Sequence, residues 1–228
     1  MLKQLIGRVV ALAGGFTLLA IASGTAMAQT EQERLVSDAD RTLSNFVNDP
    51  QMTWLHDNFG RAKGVLIAPK IVKAGFILGG SGGRAVLIAR DPKGRWVGPA
   101  FYTLATASVG FQAGVSVSEA VTLVMTDKGM RSLLATSVKI GGDVSIAAGP
   151  IGAGAKADVV TDLVTFSRAK GIYGGINLDG SALTVSDEWN QAYYKKPVQP
   201  SDILVSAGAH NKQADKLLAD TARATARK

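Results

Sequence analysis

From Gly64 onward the chain is cut into short apolar runs separated by glycine, and no other feature constrains its fold as tightly. The runs cover 64–68, 74–78, 85–89, 101–117, 120–125, 144–148, 163–166, 171–177 and 182–185. Most are too short for helices and are bounded by Gly, Ser, Asp or Pro, the punctuation of strands in an antiparallel sheet or barrel. The cluster Gly79-Gly80-Ser81-Gly82-Gly83 reads as the turn of one hairpin. The stretch Leu178-Asp179-Gly180-Ser181 reads as a second, with Asp-Gly supplying positive φ.

Helical patterns frame this region. Leu35, Val36, Ala39, Leu43, Phe46 and Val47 recur at helical spacing, with acids and arginines between them. Asp49 then offers an N-cap and Pro50 a first residue for a second helix ending at Gly60, so two helices are expected over 31–59. One helix over 127–135 interrupts the strands, a helical turn follows at 187–194, and a polar helix over 210–227 closes the chain. With no repeat, linker or low-complexity tract, the expectation is a single α+β domain: an antiparallel, barrel-like core of Gly-punctuated strands flanked by N- and C-terminal helices.

The first 28 residues follow a different logic. Lys3 and Arg8 precede an apolar stretch over 9–22, and Ala26 and Ala28 occupy the A-x-A positions of a secretory leader. The stretch is short of the ~20 residues that span a bilayer. The sequence thus predicts a signal peptide over 1–28, cleaved after Ala28, and an exported domain over 29–228, periplasmic or secreted. With no cysteine, neither a lipid-modified N-terminus nor a disulfide is available. The stability of the domain must come from its packed core.

Charge is unevenly spread. Residues 29–60 hold six acids and two arginines, whereas 61–228 hold twenty-one cations and twelve acids. Within 61–95, eight cations face one carboxylate, Asp91. Such a surface attracts anions, among them lipid headgroups and acidic proteins.

Sequences that imitate active sites fail on context. Gly79–Gly83 satisfies G-x-S-x-G around Ser81, but that motif needs a helix after the serine and a strand follows here. Ser167-Arg168-Ala169-Lys170 matches S-x-x-K without the companion elements of penicillin-interacting enzymes. Two histidines, His56 and His210, and no ligand-spaced carboxylates give no basis for a metal site. No nucleotide loop is visible, and the basic stretch lacks the interleaved aromatics of a nucleic-acid surface. The chain is expected to be non-catalytic and free of cofactors.

A longer set of motifs is more specific. Lys63-Gly-Val-Leu-Ile-Ala-Pro69 leads into Lys73-Ala-Gly-Phe-Ile-Leu-Gly-Gly-Ser-Gly-Gly83. Trp96-Val-Gly-Pro-Ala-Phe101, Ser108-Val-Gly-Phe-Gln-Ala-Gly114, Ala147-Ala-Gly-Pro150, Phe166-Ser-Arg-Ala-Lys-Gly-Ile-Tyr-Gly174 and Tyr193-Tyr194 follow in order. Together these resemble the SYLF-domain family over about 35–205, in an exported, bacterial form. Lys195-Lys196 stands where the family often has glycine after the paired tyrosines. The resemblance implies a non-catalytic module that binds anionic phospholipids, phosphoinositides in eukaryotic members, and actin in some fungal ones.

The expected lipid-binding cations are Lys63, Lys70, Lys73, Arg84 and Arg90, with Arg168 and Lys170 as a secondary pair. On one strand Arg84, Val86, Ile88 and Arg90 share a face. That face is either a headgroup-binding strip or a core strand whose ends emerge into water. The competing expectation for function is an envelope structural or adhesion protein that docks on other proteins, an actin-like partner included.

Overall fold

The computed structural model describes residues 29–75, 78–109, 114–152, 160–169, 171–173 and 178–226. The expected leader, Lys170 and most of the expected strand at 171–177 lie outside the described residues.

Helix α1 (Glu31–Val47) opens with a reciprocal cap: Thr30 Oγ1 accepts from the Glu33 amide, and the Glu33 carboxylate accepts from the Thr30 amide. Its buried stripe runs through Val36, Ala39, Leu43 and Phe46. Helix α2 (Thr53–Phe59) starts later than Asp49 and Pro50 foretold. Asp49 instead folds a local turn, its Oδ1 accepting from the Gln51 amide at 2.9 Å, and its other oxygen accepts from Tyr173. With its carboxylate committed there, Asp49 caps no helix.

Among the described residues nine strands follow: β1 (Gly64–Gly75), β2 (Leu78–Arg90), β3 (Trp96–Val109), β4 (Gly114–Val124), β5 (Ser137–Lys139), β6 (Ile146–Ala148), β7 (Leu163–Ala169), β8 (Ile172–Tyr173) and β9 (Ala182–Val185). They form one sheet ordered β5-β9-β3-β2-β1-β4-β7-β6, with β8 on β7. All pairs are antiparallel except β6 with β7, which are parallel, so the sheet is mixed. A bridge between Ile140 and Val144 links the regions after β5 and before β6, and the sheet curls into a half-barrel.

Three expectations about the strands need correction. The run 64–68 and the start of the run 74–78, Ala74 and Gly75, belong to one strand, while Leu78 opens the next. Pro69 does not break the first, because β1 carries one extra residue there against both neighbours: Ile67 faces Val86 and Lys70 faces Arg84, while Ala68 faces Ala120 and Ile71 faces Ser118. A bulge interrupts the ladder where proline has no N–H to give. Second, Gly79–Gly83 is no turn; these glycines lie inside β2, paired with β1 on one side and β3 on the other. Third, Gly180 takes the expected positive φ of 79°, but the strands around it do not pair with each other: β8 pairs with β7, and β9 lies between β3 and β5. The run 101–117 is likewise the end of β3 and the start of β4.

The continuous apolar runs have a physical cause, since this part of the sheet is buried on both faces. One face presents Val65, Ile67, Val86, Ile88, Phe101, Val121 and Phe166, all buried, to the helices. Phe166 meets Trp54 of α2, and Phe101 meets Trp189 and Tyr193 of α4 (Asp187–Tyr194). The other face, with Leu66, Leu87, Tyr102, Leu104 and Leu183, fills the inside of the curl. There α3 (Asp127–Leu133) accepts a hydrogen bond at its Leu133 carbonyl from the Tyr102 hydroxyl, 2.6 Å. Helix α5 (Pro200–Leu204) was not anticipated, and α6 (Asp215–Ala226) packs along α1, where Lys216 pairs with Asp40.

Candidate functional site

Strands β1 to β4 run on past the helices, and their far halves are uncovered. Register puts Lys70, Val72 and Ala74 of β1 beside Arg84, Gly82 and Gly80 of β2, and these beside Thr103, Ala105 and Ala107 of β3. Val117 and Val115 of β4 flank Val72 and Ala74. Alternation places all of them on the face that the helices cover farther back. Here it is open: Val115 is 69% exposed, Val117 44% and Val72 36%.

The row at the boundary between covered and open sheet is polar. It runs Lys70, Arg84, Thr103, Thr184, Ser137 across five strands. Lys70 is exposed. The Arg84 guanidinium carbon sits over the Trp189 ring, 3.8 Å from its centroid, with Nη1 3.4 Å from Thr103 Oγ1 and 3.3 Å from Ser186 Oγ. Two cations thus sit directly opposite one another, and among the described residues neither forms an ion pair with a carboxylate. Like charges in that position destabilise a sheet by a few tenths of a kcal/mol or more.

The structure distributes the other expected cations elsewhere. Lys63 precedes β1 at its opposite end and pairs with Asp127 at 2.9 Å. Arg90 is a brace at that end: it donates to the carbonyls of Ala62 and Gly60, each 3.1 Å away, and stacks on Trp96. Of the two readings of Arg84, Val86, Ile88 and Arg90, the core strand with emerging ends is therefore the observed one, with Val86 and Ile88 fully buried. Lys73 is half-buried on the opposite face, in the row of Ser81, Thr106 and Ser116.

Arg168 belongs to a polar cluster that docks α1 on the sheet. Its Nε donates to Glu119 at 2.9 Å, its guanidinium lies over Phe46, and Thr42 donates to the other Glu119 oxygen at 2.9 Å. Tyr173 joins Arg168 to Asp49; burial and the hydrogen bond to Asp49 push its hydroxyl up to about 12. That hydrogen bond in turn holds the Asp49 carboxyl below its ordinary range. Beside the cluster, Pro69, Val117, Ser118, Glu119, Arg168 and Gly171 line an open cleft of about 190 Å³.

The residues that complete the site escaped the sequence reading: Val72, Val115 and Val117, and the neutral neighbours Thr103, Ser186 and Trp189. The alternating Gly114-Val-Ser-Val-Ser118 was the signal available, since alternation marks a half-exposed strand. Ser81 lies in mid-strand rather than on a strand-to-helix turn, and Ser167 is buried within β7. No helix among the described residues is long and apolar enough to cross a membrane, and none of their His, Asp and Glu side chains form a group of three that could hold a metal.

A family model, Ysc84, described as Las17-binding protein actin regulator, matches residues 105–224. Human SH3 domain-containing YSC84-like protein 1 is 29% identical over 162 residues, 69% of this chain and 47% of the relative. LAS seventeen-binding protein 3 of Saccharomyces cerevisiae is 33% identical over 168 residues, 68% of this chain and 36% of the relative. Protein YSC84 of the same yeast is 33% identical over 141 residues. The chain spans less than half the length of these relatives.

Proposed function

The chain belongs to the Ysc84 (SYLF) family, and on that footing we propose that it is an exported, non-catalytic protein that binds the headgroups of an anionic phospholipid surface. The family is described by binding and regulation, and the leader expected at 1–28 supports export. The observation that carries the lipid reading is the Lys70–Arg84 pair. Two opposed cations without an ion pair of their own, the Glu119 beside Lys70 being held by Arg168 and Thr42, are an arrangement that a phosphate relieves, and the hydroxyls of Thr103 and Ser186 lie where they can donate to its oxygens. A cation near a charged bilayer contributes about 1 kcal/mol. Lys63, Lys73, Arg90 and Arg168 serve this surface less directly than Lys70 and Arg84, and Lys170 lies outside the described residues.

The test is co-sedimentation of the purified protein with vesicles of phosphatidylcholine, alone or mixed with phosphatidylglycerol. Binding is expected with the anionic vesicles alone, and it disappears at ~0.5 M salt, where screening acts within about 4 Å. Combining Lys70→Glu with Arg84→Glu weakens it on the order of thirtyfold or more, whereas Lys93→Glu, in the turn at the far end of the sheet, leaves it near wild type. A folded protein that sediments with neither vesicle refutes the reading. The relatives' names favour a protein partner as the second reading, actin-like or of the envelope. It requires capture that is indifferent to lipid charge and survives ~0.5 M salt.

A further inference from the structure

We infer that the open half of the sheet is the membrane-entering part of the molecule, lying face-down so that Val72, Val115 and Val117 pass the headgroups while Lys70 and Arg84 stay among the phosphates. The inference rests on the lipid reading and adds an apolar contact to its electrostatic one. Of the large hydrophobic side chains exposed among the described residues, Val72, Val115 and Val117 share this face and Ile172 lies at the same end on the other face, while Ile151, Val160 and Val205 lie outside the strands. On the inferred face the valines stand among Ala74, Ala105 and Ala107, all exposed, with glycines between them.

Charge identifies the occupant. Between residues 64 and 118 the chain contains one carboxylate, Asp91. It lies in the turn at the opposite end of the sheet and is held by Arg95 through bonds of 2.9 and 2.7 Å. A second copy laid face to face would bring Lys70 and Arg84 against their own kind or against bare valine, with no acid in β1, β2, β3 or the open half of β4 to answer them. An anionic bilayer supplies both requirements in the right order, phosphates at the boundary row and apolar depth beyond it. Trp189, half-buried beneath Arg84, sits at the level where amphipathic rings favour the interface.

Backbone chemistry limits the depth. β1 and β2 are paired on both sides throughout the open half, but beyond Ala105 the outer edge of β3 has no partner among the described residues, and neither does that of β4 before Ser118. Unpaired amides are expensive in hydrocarbon. Entry is therefore confined to the ~5–10 Å that interfacial amphipathic elements reach. Lysine and arginine suit the boundary row because their stems lie along apolar surface while the charge stays wet.

The absence of cysteine makes the test direct. Val115→Cys, Val117→Cys and the remote Lys93→Cys each carry one environment-sensitive nitrobenzoxadiazole label on the full chain, with folding checked by circular dichroism. On vesicles of phosphatidylcholine and phosphatidylglycerol, the labels at 115 and 117 shift to the blue and brighten severalfold, and lipid-borne quenchers near the headgroup reach them better than quenchers at the chain ends. The label at 93 does not change. The unlabelled double variant Val115→Ser with Val117→Ser partitions on the order of tenfold less and keeps the wild-type salt dependence. Sedimentation with unchanged labels at 115 and 117 overturns insertion while leaving surface binding intact. No sedimentation overturns both. A blue shift that grows with protein concentration in the absence of vesicles assigns the face to a second copy, and overturns the inference as well.

Discussion

Replacing Gly83 by alanine separates a glycine that shapes a turn from one that lets two strands approach. Gly79–Gly83 lies within β2, and none of its members is among the positive-φ glycines, so backbone strain is not what selects glycine there. Close approach is. A Cβ on Gly83 would fall well inside van der Waals contact distance of the Lys70 carbonyl oxygen and 3.3 Å from the Ile71 Cα, both backbone atoms of β1 beside its bulge. Neither can swing aside like a side chain, so the two strands must part where the register already shifts. Overpacking of this kind costs about 2–3 kcal/mol. Gly82 is the internal control: its added Cβ meets nothing nearer than the Leu104 carbonyl at 3.5 Å, an ordinary contact. There the lower freedom of the unfolded chain makes alanine neutral or stabilising by about 0.5 kcal/mol. In a domain of this size a kcal/mol moves Tm by roughly 2–4 °C. Gly83→Ala should therefore melt about 5–10 °C below wild type and Gly82→Ala at or slightly above it, followed by circular dichroism and by tryptophan emission in urea. Equal effects at the two positions would mean that the cluster is a loose turn after all, and the register of β1 on β2 would be wrong.

Two further outcomes test the frame around the site. Asp162 is buried; burial raises its carboxyl, but hydrogen bonds from Thr126 and Ser145, together with Lys128, outweigh this and hold it well below the usual range. A depressed folded pKa contributes stability that is complete above the unfolded value of about 3.9 and drains away as pH falls through it toward the folded value. Asp162→Asn should thus be less stable at pH 7 by about 1–3 kcal/mol, and should lose less than wild type between pH 5 and 2; parallel urea-stability curves across that window contradict this. Tyr194→Phe removes a buried hydroxyl that donates to the Pro99 carbonyl at 2.8 Å and should cost about 1–2 kcal/mol in urea denaturation. Tyr193→Phe should cost less, because its partner Gln213 is partly exposed and can turn to water.

How far the sequence could be read depended on the range of the interactions involved. Helices α1, α3 and α4 were legible because their marks are local: the spacing of Val36, Ala39, Leu43 and Phe46, and the short run after Thr126. The strands at 64–68, 85–89 and 120–124 were legible as apolar runs for the same reason, and the family motifs held the order of the whole. The glycines at 79–83 were not, since glycine serves a turn and a close strand approach equally well, and only the bulge opposite Gly83 decides between them. The cations followed the same division. Their excess in 61–95 is a property of the sequence, but whether each one is spent inside the molecule depends on residues far along the chain. Asp127 takes Lys63, Glu119 takes Arg168, and the carbonyls beside α2 take Arg90. Arg84 and Lys70 were left to face one another by a register that composition does not contain. Burial patterns are written locally because each strand or helix repeats on its own period; partners are chosen by tertiary structure because they are separated by tens of residues and meet only when the sheet has curled.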